Sequence, residues 1–218
     1  MKNYIQIFLK FIVLISFLFV ASCDQKNESE KKASSENLGN DQKVLLDSIK
    51  RISEGDESAK ITIIAYESLT CGHCADFHKN VYPGLKKDFI EKGLVRVEFR
   101  HFPLDVAAFN ASKIGQCNND GKSDIMHTLY SGQKNWVKGK TPEEMTKYLK
   151  KFLIDKGIKL DFEKCLADKA IEDYVLNDRI EGVKKFKVNA TPTIIINDKK
   201  FEKALNYKNL KKYLEKLI

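Results

Sequence analysis

Apolar and polar positions alternate along the chain in a way that predicts its elements. Ile61, Thr62, Ile63, Ile64 and Tyr66 form a β-branched run that is apolar on both faces, as a central buried strand requires. Leu94, Val95, Val97 and Phe99 predict a second strand. Between them Cys74, Phe77, His78, Val81, Tyr82 and Leu85 fall along one side of a helix, and Pro83 within it predicts a kink. Strand, helix and strand in this order predict a right-handed parallel crossover.

Residues from about 105 to 187 read as helical. Ala107, Ala108, Ala111, Ile114 and Gly115 give a close-packing face, and Ser123 is placed to cap a short helix through Tyr130. Thr141, Pro142 and Glu144 form a helix start, with Thr141 as N-cap and the glutamate three residues later. Met145, Leu149, Phe152 and Leu153 follow at amphipathic spacing. Asp161 precedes a helix carrying Phe162 and Cys165, another runs from Ala170 to Lys185, and Trp136 reads as core filler. Strand character returns at Thr193–Asn197, with Asp198-Lys199 as a turn and Lys200-Phe201 opening a partner strand. A final helix carries Leu210, Tyr213, Leu214 and Leu217 on one face.

The N-terminal 22 residues have a different pattern. Lys2 and Lys10 precede an apolar run from Phe11 to Ala21, which predicts an export signal peptide over 1–22. Val20, Ala21, Ser22 and Cys23 resemble a bacterial lipobox, with valine where leucine is usual, so Cys23 is the expected lipidated N-terminus of the mature chain; a soluble exported protein cut nearby and an uncleaved anchor are the alternatives. Residues 23–42, rich in Ser, Glu, Asn and Lys, read as a flexible tether. Val44, Leu45, Ile49 and Ile52 predict a short helix over 43–54 that docks on the domain or mediates oligomerisation.

Composition narrows the function classes. The 218 residues suffice for one domain with an insertion, and 43% hydrophobic content supports a core. The formal charge of +8 is spread through lysine pairs that alternate with acids, with no basic cluster interleaved with stacking aromatics, so no nucleic-acid partner is expected. No Gly-rich phosphate loop or serine-hydrolase elbow occurs. An exported chain works in an oxidising compartment, where each cysteine needs an account.

Cys71 and Cys74, in Cys71-Gly-His-Cys74, arrive at the junction of the first strand and the helix. Backbone N–H groups and the helix dipole favour a thiolate there. Alone the motif permits a catalyst, a structural disulfide or a metal site, with His78 a possible third ligand. His101 and His127 read as polar core or surface residues.

Cys71-Gly-His-Cys74, the segment Phe99 to Asp105, the small-residue helix leading to Cys117, Phe162 to Cys165, and Val188 to Thr193 with Thr191-Pro192 together resemble the DsbA-like branch of the thioredoxin superfamily, over residues 55–215. The resemblance implies an α/β thioredoxin fold with a helical insertion domain between its two halves. Residues 55–104 would form the first half, 105–187 the insertion and 188–218 the second half. It implies a thiol:disulfide oxidoreductase whose only redox centre is the Cys71–Cys74 disulfide, without a further cofactor or metal. Cys71 would be the nucleophile and Cys74 the resolving thiol, with His73 lowering the Cys71 pKa, Pro192 in cis and Thr191 presenting its backbone to a peptide. Cys117 and Cys165 would form a structural disulfide worth about 3–4 kcal/mol in the chain-entropy model. Cysteine-containing exported polypeptides are the implied substrates, a DsbB-like membrane oxidase the implied partner, and a monomer on the periplasmic or extracytoplasmic face the implied state. Isomerase or reductase activity at the same site is the alternative within this chemistry; a metal-binding lipoprotein using Cys71 and Cys74 as ligands is the alternative outside it.

One departure from the family pattern concerns proton transfer. The acid often found six positions before the first cysteine is Ala65 here, and Glu67, two residues on, is the candidate substitute.

Overall fold

The computed structural model describes residues 46–218. The signal peptide, Cys23, the tether to residue 42 and the start of the 43–54 segment lie outside the described residues. Five strands among the described residues form one sheet: β1 (Ser53–Glu54), β2 (Ile61–Glu67), β3 (Val95–His101), β4 (Thr193–Ile196) and β5 (Lys199–Lys200), in the order β1-β3-β2-β4-β5. β2 runs parallel to β3, and the other pairs are antiparallel. β2 is therefore the central strand. Ile61, Ile63 and Ala65 are buried on one side and Tyr66 on the other, which is why its apolar character covers both faces.

α1 (Gly72–Asn80) and the short α2 (Tyr82–Leu85) connect β2 to β3, followed by a π-helical turn over Lys86–Ile90. Pro83 sits in the first turn of α2, so the helical path breaks at Val81, where a proline N–H would have been missing from α1. The insertion contains α3 (Val106–Gln116), α4 (Asp124–Ser131), α5 (Gln133–Trp136), α6 (Pro142–Asp155), α7 (Phe162–Ala167) and α8 (Lys169–Phe186). Asp105, Thr141, Asp161 and Asp168 cap α3, α6, α7 and α8 through their side chains. Trp136 is fully buried, and its indole N–H donates to the Leu129 carbonyl at 3.0 Å. α9 (Tyr207–Leu214) closes the chain with Leu210 and Leu214 in the core.

α8 lies close on β2 because Gly182 leaves room: a Cβ there would come within 2.8 Å of the Tyr66 ring. It is also anchored by charge. Arg100 on β3 bonds Asp178 at 3.0 Å and Glu181 at 3.1 Å, and the second oxygen of Asp178 accepts the His101 backbone N–H at 3.0 Å.

Three local expectations change. The helix expected over 43–54 gives way, after Leu46 and Asp47, to extended chain and then to β1, with Ser53 opposite Glu98 and Glu54 opposite Val97. The Ile52 carbonyl accepts from Phe99 N–H at 2.9 Å, so the segment covers the open edge of β3, and Ile52 is buried as a core residue of a strand-like segment. Ser123 precedes α4 but forms no cap; its hydroxyl bonds Glu54 instead. The hairpin turn falls one residue early, at Asn197-Asp198, whose left-handed φ values of 45° and 63° suit Asn and Asp. The Asn197 side chain accepts the Thr62 N–H at 2.9 Å.

Candidate active site

β2 delivers the chain to a short turn, Ser68 to Thr70, before α1 begins. The Cys71 N–H donates to the Ser68 carbonyl at 3.0 Å. The Thr70 hydroxyl donates to Asp105 at 2.7 Å, the carboxylate that also caps α3. Gln133 Nε2 donates to the carbonyls of Leu69 at 2.8 Å and Cys71 at 3.0 Å. The Cys71 carbonyl also accepts the Ala75 N–H at 3.2 Å. The Leu69 carbonyl is therefore the one that depends on Gln133, at a cost of about 1–3 kcal/mol if left unpaired, and through it the insertion helps to set the position of Cys71. No local motif marks Gln133, which lies 62 residues from Cys71.

Cys71 occupies the N-cap position of α1, and Cys74 lies one turn inside it. Both are free thiols. The Cys71 thiol is lowered to about 5. A hydrogen bond from the Cys74 thiol is the largest cause; partial burial opposes it, and the Thr191 side chain and the backbone N–H groups of Cys74 and His73 add to it. Cys74 is fully buried, and its thiol is pushed far up, first by burial, then by its bond to Cys71 and by the charge of Glu67. Two thiols three residues apart thus have opposite tendencies.

His73 contributes through its backbone N–H, while its side chain is exposed. The Thr191-Pro192 bond is cis, and the Thr191 carbonyl accepts from the Cys71 thiol at 3.4 Å. The Thr191 hydroxyl is buried and forms no hydrogen bond of ordinary geometry within the protein. His73, Phe77, Thr191, Pro192 and Tyr207 line a groove of about 540 Å³ beside Cys71.

Ala65 is core, opposite Phe99 on β3 and Ile194 on β4. Glu67, on the same strand face, is turned fully inward; His78 Nε2 lies 2.8 Å from one carboxylate oxygen, and the other forms no hydrogen bond of ordinary geometry. Beyond it, His78 Nδ1 meets His127 Nδ1 at 3.0 Å. His78 therefore turns both ring nitrogens away from a shared site with the two cysteines, and among the described residues no three His, Cys, Asp or Glu side chains are arranged to hold a metal ion. The part that His127 and Glu54 take in this cluster was not legible in the sequence, where they lie far from the cysteines and from each other. His101 is a core histidine, held neutral by burial and placed 3.2 Å from Gln116. Away from the site, Cys117 and Cys165 are joined in a disulfide between α3 and α7.

Residues 47–216 match a family model described as Thioredoxin. Disulfide bond formation protein D of Bacillus subtilis (strain 168) is 26% identical over 172 residues, covering 74% of each chain. A relative from Rickettsia bellii is 25% identical over 150 residues, and the match covers 66% of this chain and 55% of that one. Among solved structures, alpha-DsbA1 of Wolbachia pipientis is 29% identical with a TM-score of 0.69, covering 77% of this chain and 90% of its own. No helix among the described residues is long and apolar enough to cross a membrane.

Proposed function

Because this chain belongs to the thioredoxin family, in its DsbA-like branch of protein-disulfide oxidoreductases, we propose that it introduces disulfides into exported, cysteine-containing polypeptides by exchange at Cys71 and Cys74. The observation that carries this reading is the placement of Cys71 at the N-cap of α1, against Thr191 of the cis-Pro192 loop, with Cys74 fully buried one turn inside the helix. Donors around Cys71 favour the reduced enzyme, and a stabilised reduced form makes the disulfide a strong oxidant. The name of the Bacillus subtilis relative, a disulfide bond formation protein, favours the same direction.

The cycle uses only the protein's own sulfurs. A substrate thiolate attacks Cys71 Sγ of the oxidised pair, the Cys71–Cys74 bond breaks, and Cys74 leaves with the electron pair and takes up a proton. A second substrate thiolate attacks the substrate sulfur of the mixed disulfide. The substrate disulfide forms, and Cys71 departs as a thiolate held by Thr191 and the backbone N–H groups of His73 and Cys74. The Thr191 backbone beside cis-Pro192 aligns the peptide as an added strand along the groove. Glu67 serves the proton step at Cys74. Reoxidation falls to a DsbB-like membrane oxidase, and a lipid on Cys23 keeps the monomeric enzyme at the extracytoplasmic membrane face.

The test is the redox potential of the Cys71–Cys74 pair. A value near about −120 mV supports the oxidase, and one near about −270 mV replaces it with a reductase. Efficient turnover of a scrambled disulfide substrate would bring isomerisation forward instead.

A further inference from the structure

A polar cluster lies behind the cysteines, in a region that is otherwise core. Glu67 on β2 meets His78 on α1, His78 meets His127 on α4, and His127 Nε2 lies 2.6 Å from Glu54 on β1. Side-chain exposure is 0% at Glu67 and 5% at His78, against 25% at His127 and 17% at Glu54, so the outer pair is the more exposed. Lys86, 3.1 Å from Glu54, is 45% exposed and marks the solvent end. The cluster therefore runs from the sealed interior to the surface.

Its geometry suits proton movement. Two Nδ1 atoms 3.0 Å apart need one proton between them, one ring donating and the other accepting. The rings are held in place: His78 stacks on Tyr130 at 4.0 Å, His127 packs on Tyr82 at 4.7 Å, and Phe99 touches both. Glu54 anchors the outer end. Burial works against its charge, but bonds from His127, Ser123, Tyr82 and Lys86 outweigh that and hold its carboxyl well below the usual range. The ionisable groups facing the cluster are Cys74 from α1, Tyr82 from α2, Lys86 from the π-helical turn, His101 from β3 and Tyr130 from α4. The second Glu67 oxygen has the buried Tyr130 hydroxyl near it, with no bond of ordinary geometry, and lies at the end whose charge reaches Cys74.

We propose that Glu67, His78, His127 and Glu54 form a proton relay through which the buried Cys74 exchanges its proton with water at Glu54, away from the substrate mouth at Cys71. The proposal rests on the exchange chemistry given above and adds the path that chemistry needs. When Cys74 attacks a mixed disulfide on Cys71, its proton passes to Glu67, one passes from Glu67 to His78 Nε2, one crosses from His78 Nδ1 to His127 Nδ1, and one leaves His127 Nε2 through the Glu54 carboxylate to water. The Cys74 electron pair forms the Cys71–Cys74 bond. The bond from Cys71 to the departing sulfur breaks, and that sulfur leaves as a thiolate. Reduction of the pair reverses the path and takes up one proton. Glu67 is the group of the four whose charge acts on the reacting thiol, and His78, His127 and Glu54 act through it.

The test mixes the reduced full-length protein with dithiobis-nitrobenzoate and follows release of the coloured thiolate. The first phase reports attack by Cys71, and the second reports displacement by Cys74. Across about pH 5 to pH 9, His127→Gln and Glu54→Gln are expected to leave the first phase unchanged. The second should slow by about 100-fold, the lower end of what acid–base assistance supplies. Imidazole should restore the second phase in His127→Ala, whose site reaches solvent. Glu54→Gln keeps the shape of the carboxylate but loses an acceptor oxygen, either toward Ser123 and His127 or toward Tyr82 and Lys86, so denaturant unfolding of the variant run beside the kinetics separates proton transfer from folding. A second phase of wild-type rate and pH profile in both variants overturns the relay, as does a slowed phase that keeps the wild-type pH profile and does not respond to imidazole. Absence of the first phase in the wild-type protein would instead overturn the exchange reading, and the relay with it.

Discussion

The mouth around Cys71 and the interior behind Cys74 are separated by one helical turn, yet they treat a thiol in opposite ways. At the mouth, hydrogen-bond donors from Cys74, Thr191 and the first N–H groups of α1 converge on one sulfur and lower it to about 5. Behind it, burial and the Glu67 charge penalise a second thiolate. Exposure alone does not explain the contrast, because Cys71 is itself partly buried. What differs is the supply of donors, and an exchange cycle needs both settings: one sulfur ready to be attacked or to leave, the other protonated until it is called upon.

The largest expected break of this contrast is Cys71→Ser, which should reduce disulfide exchange with a dithiol peptide to the uncatalysed rate. Cys74→Ser should retain attack and accumulate a mixed disulfide that mass spectrometry detects; equal behaviour of the two variants would erase the distinction. Next comes Asp178→Ala, which takes one of three carboxylates from the buried Arg100, leaving Glu98 and Glu181, and strips the buried His101 N–H of its acceptor; it should destabilise the fold by about 1–3 kcal/mol in denaturant unfolding. Its thiol at Cys71 should still titrate low, since Asp178 belongs to the scaffold and not to the mouth. Gln133→Leu, at about 1–3 kcal/mol, tests the link between the two: the Leu69 carbonyl loses its donor, while the Cys71 carbonyl keeps the Ala75 N–H. The same variant should raise the pH at which Cys71 is half-alkylated, whereas an unmoved titration would show that the turn holds itself.

The smallest effect is a titration of the unaltered protein. Thiolate absorbance should rise with a midpoint near pH 5 from Cys71, with no second transition until strongly alkaline pH. Since the folded Cys71 is lowered relative to an unfolded thiol, it stabilises the reduced fold fully above the ordinary thiol range near about 8.5. This contribution shrinks as pH falls and vanishes below about 5. A reduced protein whose stability is flat across that window contradicts the thiolate assignment.

Much of this arrangement was legible because it depends on neighbours in the chain. The buried character of β2 showed in its β-branched run, the break at Val81 in Pro83, and the start of α6 in Thr141 and Glu144. Ile52 defeated the same reasoning, since a few apolar residues at near-helical spacing can equally lie along a segment pairing with a sheet edge. Ser123 defeated it differently: a cap position is local, but the carboxylate that takes its hydroxyl is 69 residues away.

Sequence by itself determined the order of elements, the placement of Cys71 and Cys74 where a strand meets a helix, and the presence of Thr191-Pro192 ahead of β4, because backbone propensity and side-chain periodicity act over a few residues. Tertiary structure decided which distant side chains reach that place. It brought Gln133 to the carbonyls of the turn, set Thr191 against Cys71, and lined up Glu67, His78, His127 and Glu54 from four elements. Hydrogen bonds and charges act over a few ångströms regardless of separation along the chain, so the different acidities of the two cysteines belong to the folded protein and not to the motif that contains them.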